Sequence, residues 1–101
     1  MSKFTWREEK NETNRRKHKG LTFEIAELVF QDPHYVAFVG SVKDGEERWH
    51  AIGMVEGFIL LVVIHTYQTE DAEELIHIIS CRHASKHERR LYEDKLYEET
   101  R

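Results

Sequence analysis

Residues 47–66 read ERWHAIGMVEGFILLVVIHT, and this stretch decides the fold. Two β-rich runs, Glu47–Val55 and Phe58–Thr66, flank Glu56-Gly57, a dipeptide suited to a tight hairpin turn. A two-residue turn pairs Val55 with Phe58, which sets Arg48 opposite His65 and His50 opposite Val63. Successive side chains of a strand point to opposite faces. One face of the hairpin is therefore expected to carry Arg48, His50, Ile52 and Met54 with Ile59, Leu61, Val63 and His65. That register gathers a guanidinium and two imidazoles at the open end of one face. Histidine exchanges a proton near neutral pH, and arginine holds a phosphate through two nitrogens.

Outward from the hairpin, Tyr35–Val39 reads as a preceding strand and Gly40–Glu46 as a turn-rich loop. Tyr67–Glu73 reads as a polar loop and Glu74–Ser80 as the last strand. Four short strands without crossover helices predict an antiparallel meander. On the last strand His77 shares a face with Leu75 and Ile79, but the loop before it leaves open which face of the sheet that is. Before the sheet, Phe4-Thr5-Trp6 is a short extended start. Arg7–Lys19 lacks Gly, Pro and a wide apolar stripe, so it predicts a helix that is polar nearly all round. Lys10, Asn14 and Lys17 share one face of it, with His18 alongside. Gly20 ends this helix and Thr22 is placed to cap a second, Phe23–Phe30, which Asp32-Pro33 closes. A third helix, from Ala84 to about Glu99, carries Leu91, Tyr92 and Leu96 and has Lys86, Arg89 and Arg90 near its start. The expected class is α+β: two N-terminal helices, a four-stranded antiparallel meander and a C-terminal helix, in one domain over residues 1–101.

The chain has 101 residues, 40% hydrophobic and 34% charged, with a net charge of −4. The charge is unevenly spread. Residues 1–20 hold seven Lys/Arg against three Glu, whereas residues 21–81 hold two against eleven acids. Residues 82–90 turn basic again. A net-acidic chain is a poor sequence-blind coat for nucleic acid, but two basic blocks that meet in space can hold a phosphate backbone locally. The single cysteine, Cys81, cannot form an internal disulfide, which fits a cytoplasmic setting. No apolar run approaches the ~20 residues of a membrane helix, and none follows Met1. His83 and His87 lie at i, i+4 near Cys81, but no further ligands have metal spacing, so no metal or other cofactor is expected.

The residues in order then resemble a known family. Phe4-Thr5-Trp6 with Lys10, Asn14 and Lys17-His18 forms an aromatic pair followed by K-x3-N-x2-K-H. Leu21-Thr22-Phe23-Glu24 runs on to Val29-Phe30 and Asp32-Pro33. Glu46-Glu47-Arg48-Trp49 precedes Ile52-Gly53, and Leu61-Val62-Val63 precedes His65-Thr66-Tyr67. Ile78-Ile79-Ser80-Cys81-Arg82-His83-Ala84 is followed by Glu88-Arg89 and Tyr92. Over residues 4 to 92 this succession resembles the BrnT toxins. The resemblance implies a compact α+β fold related to RelE-type ribonucleases, RNA as substrate, and neutralisation by a BrnA-type antitoxin through which alone the toxin reaches DNA. Two departures bear on activity: Gln68 and His77 stand where many members carry arginine.

On this reading the chemistry is metal-independent transesterification by the RNA 2′-hydroxyl. His65 and His77 are the candidates for proton transfer, and Arg48 and Arg82 for charge stabilisation. Lys10, Asn14, Lys17, His18, His50, Gln68 and Lys86 are the candidates for holding RNA. With Gln68 and His77 in place of two arginines, a weakened active site is expected; the alternative is a catalytically weakened or inactive homologue that acts as an antitoxin-binding module. A stand-alone DNA binder fits less well, because the chain is acidic and shows no helix-turn-helix spacing.

Overall fold

The computed structural model describes residues 3–100. In chain order it contains β1 (Lys3–Thr5), α1 (Glu8–Lys17), α2 (Phe23–Glu27) running into a 3₁₀ turn (Leu28–Gln31), β2 (Val36–Lys43), β3 (Glu46–Val55), β4 (Ile59–Glu70), β5 (Glu73–His83) and α3 (Lys86–Thr100). Among the described residues these strands form one five-stranded sheet in the order β1-β5-β4-β3-β2. The four-stranded meander is present as β2 to β5, but the expected strand count is corrected. Phe4-Thr5 lies in a fifth strand that pairs parallel with β5, Thr5 opposite His77. No local pattern foretells this pairing, because its partner lies about seventy residues away in the chain.

The strands are also longer than the composition suggests. Gly40–Glu46 and Tyr67–Glu73 are mostly strand, closed by the two-residue turns Asp44-Gly45 and Asp71-Ala72, all four residues having positive φ. Such turns match the twist of the strands they join. The polar residues of these segments sit at the exposed end of the sheet, where strands need no apolar neighbours.

The central hairpin departs from expectation by one residue. Phe58 N–H donates to Val55 C=O at 3.3 Å, closing the turn. The ladder, however, resumes with Ile59 opposite Val55, leaving the exposed Phe58 as an extra residue. Every pair is thereby displaced: Trp49 faces His65, and His50 faces Ile64. A one-residue slip sends one strand's side chains to the other face.

Two cores result. On one face Leu21, Phe23, Ala26 and Val29 pack on Ala51, Leu61, Val63, Ile76 and Ile78. On the other, α3 lays Tyr92, with Leu91 and Leu96 at the margin, over Ile52, Leu60 and Val62. Helix α1 has little apolar surface and docks differently. Asn14 donates to Leu21 C=O and Cys81 C=O and accepts from Cys81 N–H and Ser80 Oγ, at 2.8–3.2 Å. Asn11 accepts from Phe23 N–H at 2.8 Å. Each such bond contributes about 1 kcal/mol net, and losing a buried partner costs more. Two asparagines thus replace the missing apolar stripe. The N-cap of α2 is Thr22, accepting from Ile25 N–H at 3.3 Å.

Among the described residues no helix is long and apolar enough to cross a membrane.

Candidate active site

Helix α3 covers only part of its sheet face. The uncovered end forms a cleft of about 340 Å³. Its floor is Arg48, Thr66, Gln68 and His77; Thr66 lies directly opposite His77, and one rung beyond the Trp49–His65 pair Arg48 falls beside Thr66. Strand β1 stops opposite His77, and Arg7 and Lys10 from the start of α1 reach the cleft past that point. Lys43, from the β2–β3 hairpin, forms the other wall with Glu46. Four cationic residues therefore meet one carboxylate in a chain that is acidic overall.

Arg48 Nε, Thr66 Oγ1 and His77 Nδ1 are buried and have no hydrogen-bond partner among the described residues. An unpaired buried polar group costs about 1–3 kcal/mol, and native proteins keep few of them. These three fall on neighbouring positions of one cleft, and a fourth such atom, His65 Nε2, lies in the core on the opposite face.

Of the residues singled out in the sequence, Lys10, Arg48, Gln68 and His77 meet here. His65 does not. The displaced register turns it to the opposite face, fully buried, against the rings of Phe30 and Tyr67 at 5.1 Å each. Its Nδ1 lies 3.1 Å from Val63 C=O, and burial pushes its pKa below the ordinary histidine value. The expectation that Arg48, His50 and His65 share a face is thus overturned, and His65 is a core side chain.

His50 does share the Arg48 face, one rung closer to α3. Its ring packs on Phe38 at 5.6 Å and fills a notch left by Gly40, where an added Cβ would meet the imidazole at 2.3 Å. Burial, then the charge of Arg82, lowers its pKa. Arg82 is committed elsewhere, its two terminal nitrogens gripping Glu88 at 2.7 and 2.8 Å. Glu88 also accepts from Ser85 N–H while Ser85 Oγ accepts from Glu88 N–H, a reciprocal cap on α3. The helix therefore starts at Lys86 and not at the expected Ala84; the Ser85-x-x-Glu88 spacing is a signal for this cap that sequence reasoning missed.

Asn14 is occupied in docking α1 and does not line the cleft. Lys17, His18 and Lys86 lie outside it as well; Lys17 and Lys86 are exposed on their helices. Arg7, Lys43 and Thr66 are the additions that sequence reasoning missed. No periodic pattern marks them, since their common position depends on the sheet edge and the hairpin length. Burial raises the Cys81 thiol to about 12. Among the described residues no group of three or more His, Cys, Asp or Glu is placed to hold a metal.

A family described as the ribonuclease toxin BrnT of type II toxin–antitoxin systems matches residues 6–88. The chain belongs to the BrnT family. The 1.1 Å crystal structure of the BrnT ribonuclease toxin from Brucella abortus is similar to it, with a TM-score of 0.58 and 32% identity, covering 85% of this chain and all of that one. No curated protein matches the chain. A five-stranded sheet with a cationic cleft beside its C-terminal helix is thus this member's form of a ribonuclease-toxin fold.

Proposed function

We propose that this BrnT-family chain is an endoribonuclease toxin that cleaves RNA in the cleft of Arg48, Thr66 and His77, and that a BrnA-type antitoxin neutralises it in the cytoplasm. The observation that carries the reading is the set of three neighbouring unpaired polar atoms beneath a rim of Arg7, Lys10 and Lys43. A phosphodiester supplies what they lack. Its non-bridging oxygens accept from the Arg48 guanidinium and from Thr66, and the ribose hydroxyl meets the imidazole.

The reaction is a transesterification. The His77 imidazole takes the proton of the RNA 2′-hydroxyl. The 2′-oxygen forms a bond to phosphorus, and the bond to the 5′-oxygen breaks. Arg48, with Lys43 and Arg7, stabilises the charge gathered on the phosphorane. Lys10 gives a proton to the leaving 5′-oxygen, which an ammonium can do and a guanidinium cannot. The products are a 2′,3′-cyclic phosphate and a 5′-hydroxyl. Gln68 contributes an amide donor in place of a cation. His65 and Arg82 have no place in this scheme.

Digestion of a defined RNA by the purified chain, with and without EDTA, tests it. Wild type should cleave in both and leave cyclic phosphate ends, while His77→Ala and Arg48→Ala should each lose about 10²–10⁴-fold. Equal cleavage by all three proteins would sink the assignment. No cleavage by any of them, with an antitoxin still bound, would favour the non-catalytic module.

A further inference from the structure

The same open end of the sheet has a second side. On the face that α2 and the 3₁₀ turn cover elsewhere, Trp49 and Tyr67 stack edge to face at 5.4 Å and are flanked by Glu47 and Glu74. With Val42 these residues line a groove of about 700 Å³. The β2 bulge at Gly40 builds this patch. Val39 pairs with Trp49 and Val42 with Glu47, so two valines three residues apart come onto one face. Without the bulge, Val42 would turn toward the cationic cleft. Val39 is 40% exposed, Val42 63% and Tyr67 37%. Strand β2 also ends the sheet, so its outer backbone edge has no strand partner among the described residues.

Exposed apolar side chains beside an open edge strand are usually blunted or covered. The charge decides what covers these. Glutamates at the rim repel an RNA backbone, which the opposite face attracts. They suit lysine or arginine. We propose that this acidic, aromatic groove and the free edge of β2 dock an extended segment of the antitoxin in which apolar and basic residues alternate. A strand added to β2 would satisfy its edge and set alternate side chains beside Val39 and Val42, and the chain running on from it would cross the end of the sheet over Trp49 and Tyr67. Substrate and partner thus use opposite faces of the same strands. The proposal rests on the reading of the chain as a toxin with a protein antitoxin.

The test is titration of the full-length chain with the antitoxin encoded beside it, in wild type and in the double variant Glu47→Lys/Glu74→Lys. Neither residue lines the cleft, and both are exposed, so folding and RNA cleavage should be unchanged. The reversal should raise Kd at least tenfold, and Val42→Asp should do the same. Unchanged Kd in both variants overturns the docking site while leaving the toxin reading intact. No complex with the wild-type chain overturns the toxin–antitoxin reading and this proposal with it. A wild-type dimer in light scattering that Val42→Asp dissociates assigns the groove to a second copy, and a raised KM for RNA assigns it to substrate; either result overturns the antitoxin assignment.

Discussion

Trp49 lies directly opposite His65 across the β3–β4 ladder. That pairing puts His65 on the face that α2 covers and leaves Arg48 and His50 on the other. His65→Ala should therefore lower stability by roughly 2–4 kcal/mol, the cost of a cavity at a buried site. The folded variant should retain wild-type kcat/KM. Denaturant melts beside cleavage rates check both. A loss of rate at full stability would contradict the register. The His65 pKa is depressed, so its contribution is complete above the ordinary value of 6.5 and is lost as pH falls below it.

Asn14 holds α1 to β5 through three hydrogen bonds to Ser80 and Cys81, and makes a fourth to Leu21. Asn14→Leu keeps the bulk but leaves buried backbone groups without partners, a loss of roughly 2–5 kcal/mol. Because Arg7 and Lys10 ride on the start of α1, KM for RNA should rise in the same variant. Hydrogen exchange should show α1 opening before the central strands. An α1 that stays as protected as in wild type would contradict this account of its docking.

The Glu88 carboxyl is held down to about 2, first by the Arg82 guanidinium and then, against the opposing effect of burial, by Ser85. Its folded-state value lies below the ordinary 4.5, so its contribution is fully present above about 4.5 and lost as pH falls through about 2. Allowing for the part of the pair that faces solvent, this amounts to roughly 2–3 kcal/mol. Glu88→Gln should be less stable than wild type at pH 7, with a flatter acid limb between pH 4.5 and 2. Parallel acid limbs for the two proteins would show that the pair contributes nothing.

Gly40 admits the His50 ring where no Cβ fits. Gly40→Ala should displace the imidazole and destabilise by roughly 1–3 kcal/mol. The double variant Gly40→Ala/His50→Ala should recover much of that loss, since the three atoms nearest to an added Cβ all belong to the ring. Additive losses would place the strain in the backbone instead.

The order of elements was legible in the chain. Thr22 marked the α2 cap, Asp32-Pro33 closed the 3₁₀ turn, and the apolar runs about Gly57 gave the central hairpin. These are local signals, each fixed by the dihedral and hydrogen-bonding habits of a few neighbouring residues. The succession of motifs also carried the family. Within the cleft, Lys10, Arg48, Gln68 and His77 could be named from the sequence. Their company could not.

What tertiary structure alone decided is which residues stand together. One extra residue at Phe58 exchanged His65 for Thr66 beside Arg48, because side chains alternate with a period of two and a slip of one inverts a strand. The parallel pairing of β1, the docking of α1 by asparagine rather than leucine, and the capture of Arg82 by Glu88 all join segments whose spacing in the chain carries no record of their contact. The sequence by itself determined the order of the helices and of the four meander strands, and the family; packing determined the fifth strand and which cations and which imidazole share the cleft, since only the folded sheet fixes the distances on which proton transfer and phosphate binding depend.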